Sequence, residues 1–237
     1  MRRQSPNLAL LLIGVIVAGC VPKSYFVSDS IQPRTSEVRV LLMPPDMELY
    51  VLTAGGLLEP RADWTAAARL HVTDALTEEL RTKNVQLVLY QPSTDMSSKD
   101  YGHHQLLKLH EAVGAAILKH KYIPRFMLPT KKDKFDWSLG RGVSVLCEDC
   151  DAQYGLFIHL RDSYSSGGRV AFIILATLVS FGHVVPGGGT QVGFASLVDL
   201  QSGDIVWFNR LIRGTGDLRT PEPAQNAVKE LLTNLPL

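Results

Sequence analysis

The sequence predicts an α/β fold, in which a single mixed sheet is covered by helices and the chain ends in a β-hairpin followed by a C-terminal helix. Two observations support this prediction. Short β-branched segments alternate with segments whose apolar residues recur every three or four positions, an order typical of a sheet covered by helices. Near the C-terminus, two strand-like segments flank a short polar turn that contains glycine.

The first half of the chain alternates strands and helices. Residues 38–43 form a short apolar run that ends at two prolines, which predicts a buried strand. A loop is expected next, and Asp63 is the predicted N-cap of a helix that continues to Lys83. Residues 85–90 are the predicted second strand. Apolar residues recur every four positions on the expected buried face of the helix: Ala68, Val72, Leu76 and Leu80.

The middle of the chain predicts two further helices and a strand. Residues 101–121 form a helix, residues 122–134 a basic surface loop with two prolines, residues 137–150 a short helix and residues 154–160 a strand. The apolar positions of the longer helix are Leu106, Leu109, Val113 and Ile117.

The end of the chain carries the hairpin. Residues 191–200 and 205–212 are strand-like, and the Gln-Ser-Gly-Asp sequence between them has the composition of a tight turn. Pro221 and Pro223 begin the last helix. Its apolar residues are Ala224, Val228, Leu231 and Leu232.

The first twenty residues predict export and lipidation. Arg2 and Arg3 form a charged start, residues 8–17 are apolar, and small residues precede Cys20. The pattern resembles the signal segment and lipobox of bacterial lipoproteins, which implies cleavage after residue 19 and a lipid on Cys20. The apolar run is shorter than the roughly 20 residues that span a bilayer. The predicted organisation is a signal peptide over 1–19, a lipidated tether over 20–36 and an α/β globular domain over 37–237.

The composition and the N-terminus together suggest the partners. Lysine and arginine number 24 and aspartate and glutamate 23, a net charge of +1, so the bulk charge does not favour nucleic acid. Val21 follows the lipidated cysteine, and the absence of Asp there resembles the sorting rule for delivery to the outer membrane. The expected partners are the membrane, through the N-terminal lipid, and an unidentified envelope protein. A periplasm-facing location is expected.

Residues 195–207, ASLVDLQSGDIVW, resemble an element of certain periplasmic lipoproteins. The curli-secretion channel subunit, the lipoprotein activators of penicillin-binding proteins and the amino-terminal domain of the Tol-Pal translocation protein share a strand that ends in Asp, a Gly turn and a strand with Trp. The resemblance implies a related fold and an accessory role in the envelope through protein–protein interaction. It implies no catalytic residue. The alternative is a subunit of an oligomeric outer-membrane secretion or export channel, so oligomerisation is also considered.

No catalytic, cofactor or metal site is predicted from the residue patterns. Four histidines lie in or near the predicted helix over residues 101–121: His103, His104, His110 and His120. No two of them are four residues apart, as zinc ligands on a helix usually are. They are therefore expected to belong to a solvated helix start and not to a metal site. A hydrolase triad is not predicted from His159, Asp162 and Ser163, because neighbours on a strand point to opposite faces. Arg161 and Asp162 are expected to form a surface ion pair or a turn cap.

Two further features leave alternatives open. Cys147 and Cys150 could form a local disulfide, remain free, or support redox or metal chemistry. Residues 170–185 are apolar and carry Ile174 and Leu178 four positions apart. This segment is either a buried core helix or an interaction segment that docks on a membrane or another subunit. Large or charged residues near predicted element ends are the expected contact points: Trp64, Arg161, Asp162 and Arg169.

Overall fold

The computed structural model describes residues 25–27, 38–53, 57–83, 85–90, 98–147, 151–165, 190–214 and 216–237. It confirms the predicted fold class. A mixed sheet carries helices on both faces, and the chain ends in a hairpin and a C-terminal helix. None of the helices in these ranges combines the length and the apolar character that crossing a membrane requires.

Eight strands and three α-helices make up the described part of the chain. The strands are β1 Tyr25–Val27, β2 Arg39–Leu42, β3 Asp46–Leu52, β4 Leu58–Pro60, β5 Gln86–Leu89, β6 Tyr154–Ser165, β7 Thr190–Asp199 and β8 Ile205–Arg213. The α-helices are α1 Ala62–Thr82, α2 Ser98–Tyr122 and α3 Pro221–Leu231. Three short 3₁₀ helices span Pro124–Phe126, Pro129–Lys131 and Arg141–Cys147.

Strand β6 is the centre of the sheet. On one side it pairs antiparallel with β7, which continues through β8 to β1. On its other side it pairs in parallel with β2 and then, further along, with β3. Strand β5 extends the sheet beside β2, and β4 extends it beside β3. Between β5 and β4, no described strand pairs with the outer side of β2 and β3. This leaves a gap in this edge of the sheet.

Helices α1 and α3 cover one face of the sheet. The four predicted apolar positions of α1 are fully buried, as the four-residue spacing predicted. They pack with α3 and with Trp207 on β8 in one hydrophobic cluster. The predicted N-cap was wrong: α1 begins at Ala62, Arg61 occupies the cap position, and Asp63 instead pairs with Arg61 at 2.7 Å in the first turn.

Helix α2 covers the opposite face of the sheet, and the residues that it buries differ slightly from the predicted ones. Leu106 and Ile117 are buried, but Leu109 is 40% exposed, and His110 faces the sheet in its place. The predicted helix over 137–150 is a shorter 3₁₀ helix, Arg141–Cys147, which buries Val143 against the same face.

Three strands were not predicted from the sequence. Strand β3 follows directly after Pro44 and Pro45, where a loop was expected, and β4 pairs with it. Strand β1 lies within the range predicted as a tether and pairs with β8. Its Phe26 stacks on Phe135 with ring centroids 5.4 Å apart, so this N-terminal strand is attached to the domain by aromatic contact as well as by pairing.

The predicted hairpin is confirmed. In the turn between β7 and β8, the Asp199 carboxylate accepts backbone N–H groups of Gln201 and Ser202 at 2.8 and 3.1 Å. Gly203 has a φ of +82°, which favours glycine. A Cβ there would also lie 2.1 Å from the carbonyl oxygen of Gly140, so the turn and the start of the last 3₁₀ helix touch through backbone.

A glycine substitution tests the close packing of α2. A Cβ at Gly114 would lie 2.0 Å from the ring of Phe194, which is itself buried against Phe208. Gly114→Ala should therefore lower the free energy of unfolding by about 1–3 kcal/mol, measured by urea denaturation, because the ring cannot move aside. In the same helix, Gly102 has open space, so Gly102→Ala should be neutral or stabilising by up to about 1 kcal/mol. Equal effects of the two changes would contradict the described packing.

Candidate functional site

Most of the site residues predicted from the sequence lie outside the described residues. These are Cys20, Cys150, Arg169, Ile174 and Leu178, and the side chain of Cys147 is likewise not described. Lipidation, the state of the cysteines and the role of residues 170–185 therefore stay predictions. Trp64, Arg161 and Asp162 are described, and the structure places each of them in a different setting from a plain surface contact.

Arg161 lies inside β6 and not at its end. The strand continues five residues beyond the predicted boundary, and the Arg161 side chain is only 16% exposed. Its Nη1 donates to the carbonyl oxygens of Asp46 and Leu160 at 3.1 and 3.0 Å, and its Nη2 lies 3.1 Å from Asp46 Oδ1. The prediction of a surface ion pair or turn cap was therefore wrong for this residue, because the polar residues after Leu160 are paired within the sheet.

Four further side chains complete a network around Arg161. The parallel register places Asp46, the first residue of β3, opposite His159 of β6, with Asp46 Oδ2 3.5 Å from His159 Nδ1. Helix α2 adds Glu111, 3.5 Å from Arg161, and Lys108, 2.9 Å from Glu111 and 3.6 Å from Asp46. We call these five residues the ion-pair network.

The ion-pair network borders a cavity of about 530 Å³ at the gap in the sheet edge. The cavity extends from Asp46, Lys108 and Arg161 on the α2 side to the first turns of α1. Its α1 wall includes the exposed residues Pro60, Ala62 and Arg69, so the cavity opens to solvent. Both acidic and basic groups line the cavity, and Glu48 adds a negative charge and Arg69 a positive charge to those of the ion-pair network.

The charges of the ion-pair network keep Asp46 ionised. Burial alone would raise the pKa of Asp46, but the nearby His159 and the positive charges of Arg161 and Lys108 lower it well below its usual range. Two carboxylates, Asp46 and Glu111, then face two basic groups, Lys108 and Arg161. Cations of the chain itself thus compensate both carboxylates.

Three of these residues are the candidate metal ligands in the described part of the chain. Oxygen or nitrogen atoms of Asp46, Glu111 and His159 lie within 4.8 Å of one another. The donor set suits a divalent cation, but the guanidinium of Arg161 and the ammonium of Lys108 already neutralise both carboxylates at short distance. A metal ion would have to bind against two positive charges, so the arrangement fits an ion-pair network better than a metal site.

A second histidine lies beneath the ion-pair network. His110 is 1% exposed, and its Nε2 lies 2.9 Å from Ser196 Oγ. Burial, together with the charge of His159, lowers the pKa of His110 to about 3, so the ring is neutral. The expectation of a solvated helix start was therefore wrong for His110. Ser196 is fully buried, which keeps this pair away from any substrate in solution.

Asp162 lies on the other face of the sheet and is not part of the ion-pair network. It is 1% exposed, and its carboxylate accepts hydrogen bonds from the hydroxyl of Tyr164 and from Gln191 Nε2, the latter at 3.1 Å. The Tyr164 hydroxyl in turn accepts the backbone N–H of Leu218 at 2.8 Å. The structure thus separates Asp162 from His159, as the alternation of strand side chains predicts. The predicted surface location of Asp162 was wrong.

Burial raises the pKa of Asp162 to about 6, and the hydrogen bonds from Tyr164 and Gln191 oppose this shift only in part. Above these residues, the Arg219 guanidinium lies 4.0 Å from the ring centroid of Tyr164 and 4.5 Å from that of Trp64. Trp64, an expected contact point, is thus partly covered by an arginine of its own chain, and Arg61 contacts the same ring at 4.4 Å.

Comparison with known proteins gives distant likenesses. No protein-family model and no curated protein matches the chain. Among solved structures, the PelC dodecamer from Paraburkholderia phytofirmans superposes with a TM-score of 0.37 at 11% identity, covering 88% of this chain and 94% of that chain. The LpoB C-terminal domain from Salmonella enterica gives a TM-score of 0.29 at 14% identity, covering 79% and 88%. These likenesses concern the fold alone.

Removing one charge of the ion-pair network should destabilise the domain. Asp46→Asn leaves Arg161 largely buried without its main carboxylate partner, which should cost about 3 kcal/mol of unfolding free energy in urea denaturation at pH 7. Because the folded pKa of Asp46 is lowered, its contribution is present above about pH 4 and is lost as the pH falls further. The matched change Asp63→Asn removes an exposed partner of Arg61 and should leave stability nearly unchanged. A similar loss in both variants would contradict the network.

Asp162 should produce the opposite pH dependence. Its raised pKa means that its contribution to stability is present below about pH 4 and is lost as the pH rises towards 6. The unfolding free energy of Asp162→Asn relative to the wild type should therefore increase by on the order of 2–3 kcal/mol between pH 4 and pH 7. Asp151→Asn, at an exposed carboxylate, is the control and should track the wild type. Parallel pH profiles for all three proteins would show that Asp162 has an ordinary pKa.

Proposed function

We propose that the protein is a lipid-anchored accessory protein of the bacterial envelope, held at the outer membrane through Cys20 and facing the periplasm, and that it acts by binding a protein partner. The location is supported by the N-terminal pattern of Arg2 and Arg3, an apolar run and small residues before Cys20. Val21, in place of an Asp, supports delivery to the outer membrane.

The observation that carries the binding function is the open cavity beside the ion-pair network. Concave sites with a few convergent polar groups are the usual places where ligands and partner side chains bind. Here the polar groups are held in place by mutual ion pairs and by the sheet. Binding of a partner therefore costs little side-chain conformational entropy. Charges of both signs line the cavity, which suits the mixed polar side chains of a protein surface.

Two features of the structure favour recognition over chemistry. Cations of the chain already compensate the carboxylates of the ion-pair network, and the pKa of Asp46 lies far below the range in which a carboxylate could act as a general base or acid at neutral pH. The serine hydroxyl that contacts a histidine, Ser196 with His110, is buried beneath the sheet surface. We therefore propose a binding protein and not an enzyme.

The alternative function is a subunit of an oligomeric secretion or export channel. Such a channel needs several copies of this chain, so the mass of the detergent-extracted protein distinguishes the two functions. Light scattering that shows only a monomer would exclude the channel and leave the binding function in place.

Site-specific photo-crosslinking in cells tests the binding function. A photoreactive amino acid at Arg69, on the exposed wall of the cavity, should crosslink to one envelope protein. The same amino acid at Ser144, exposed on the 3₁₀ helix of the other sheet face, should not. Equal crosslinking from both positions, or none from Arg69, would count against the cavity as the binding site.

Palmitate labelling tests the location separately. The wild-type chain should incorporate the label and Cys20→Ala should not, because the acylated thiol is absent. A label that persists in the variant would remove the basis for the lipid anchor, whatever the crosslinking result.

A further inference from the structure

A basic segment follows the end of α2. Residues 119–136 contain six lysines and arginines against two aspartates, a net charge of +4, although the whole chain has a net charge of only +1. We call this segment the basic loop. It includes the last turn of α2 and the two 3₁₀ helices Pro124–Phe126 and Pro129–Lys131. This stretch thus carries a local excess of positive charge, which is typical of a surface that meets an anionic partner.

Lys121 gives the basic loop a defined shape. Its ammonium group donates hydrogen bonds to the backbone carbonyls of Lys131, Lys132 and Lys134 at 3.2, 2.9 and 3.0 Å. These three bonds use the whole donor capacity of the group. The loop is therefore folded back onto the end of α2.

Most of the remaining cations of the basic loop face solvent. Lys131 is paired with Asp136 at 2.8 Å, whereas Arg125, Lys132 and Lys134 are exposed and have no carboxylate within 4 Å among the described residues. Arg125 lies with its guanidinium 4.7 Å from the centroid of the Phe126 ring. Three exposed cations outside any described ion pair are thus displayed on one short, structured loop.

The N-terminus attaches to the domain beside this loop. Phe26 of β1 stacks on Phe135, and the Lys121 ammonium lies 5.1 Å from the centroid of the Phe26 ring. Only four residues separate Tyr25, the first residue of β1, from Cys20. Even fully extended, this connection spans at most about 18 Å. A lipid on Cys20 would therefore hold the β1 side of the domain, and with it the basic loop, close to the membrane surface.

We infer that the basic loop binds the anionic phospholipid headgroups of the membrane in which Cys20 is anchored. Lipid-linked proteins commonly combine an acyl chain with a cluster of basic residues, and the cluster gains affinity from negatively charged headgroups near the surface. Here the two elements are joined through β1. The basic loop then sets the orientation of the domain on the membrane. This inference rests on the proposed lipidation of Cys20.

Lysine footprinting of the full lipidated protein tests the inference. The protein is reconstituted into phosphatidylcholine vesicles with or without phosphatidylglycerol, treated with an acetylating reagent, and analysed by mass spectrometry. Lys132 and Lys134 should react about threefold more slowly when phosphatidylglycerol is present, because bound phosphate groups shield their amines. Lys229, exposed on α3 across the sheet, is the internal control and should react equally in both vesicles. The protection should disappear in roughly 1 M salt.

A pair of charge reversals supplies the matched control. Arg125→Glu should reduce the protection of Lys132 and Lys134, whereas Arg81→Glu, the same change at an exposed position of α1, should not. Equal acetylation in the two vesicle types, for protein that floats with the vesicles, would overturn the inference. Protein that fails to float would instead contradict the lipid anchor, so the two failures are distinguishable.

Discussion

The parallel pairing of β6 with both β2 and β3 is the constraint on which the structure depends. Because β2 and β3 follow one another along the same side of β6, their outer partners β5 and β4 are separated, and among the described residues no strand fills the gap between them. Alternate β6 side chains point to the two helical layers: Leu160 packs towards α1 and α3, while His159 and Arg161 face α2. The cavity and the ion-pair network both result from where β3 begins.

The fold could be predicted from the sequence largely because its signals are local. The four-residue spacing in α1 and the glycine turn between β7 and β8 each lie within a short window. The ion-pair network could not be predicted in this way. Asp46 and Arg161 are 115 residues apart, and they meet only through the register of two parallel strands. Asp46 also follows two prolines, which indicate a loop, and a strand that contains Arg161 and Asp162 lacks the apolar alternation that marks a half-buried strand.

The protein uses charge in two contrasting ways. In the ion-pair network each charge has an opposite partner within 4 Å, so the carboxylates and the cations compensate one another. In the basic loop the ammonium of Lys121 is satisfied by carbonyls, and Lys132 and Lys134 are exposed with no carboxylate within 4 Å among the described residues. A net charge of +1 conceals both arrangements. The bulk composition does not favour a general affinity for polyanions, but it does not show where the charge is concentrated.

The long sequence separation across β6 also has a consequence for how the chain acquires its structure. Residues that pair between β3 and β6 are more than 100 positions apart, and β1 pairs with β8 from the opposite end of the chain. Each contact of this kind requires a large loop to close, and the entropy cost of closure comes before the contact stabilises the fold. Chains dominated by such contacts therefore fold slowly. The central strand cannot acquire its neighbours on both sides until β7 has been synthesised. A polypeptide with this topology stays unfolded for most of its synthesis, and an unfolded chain is the form that can still be exported.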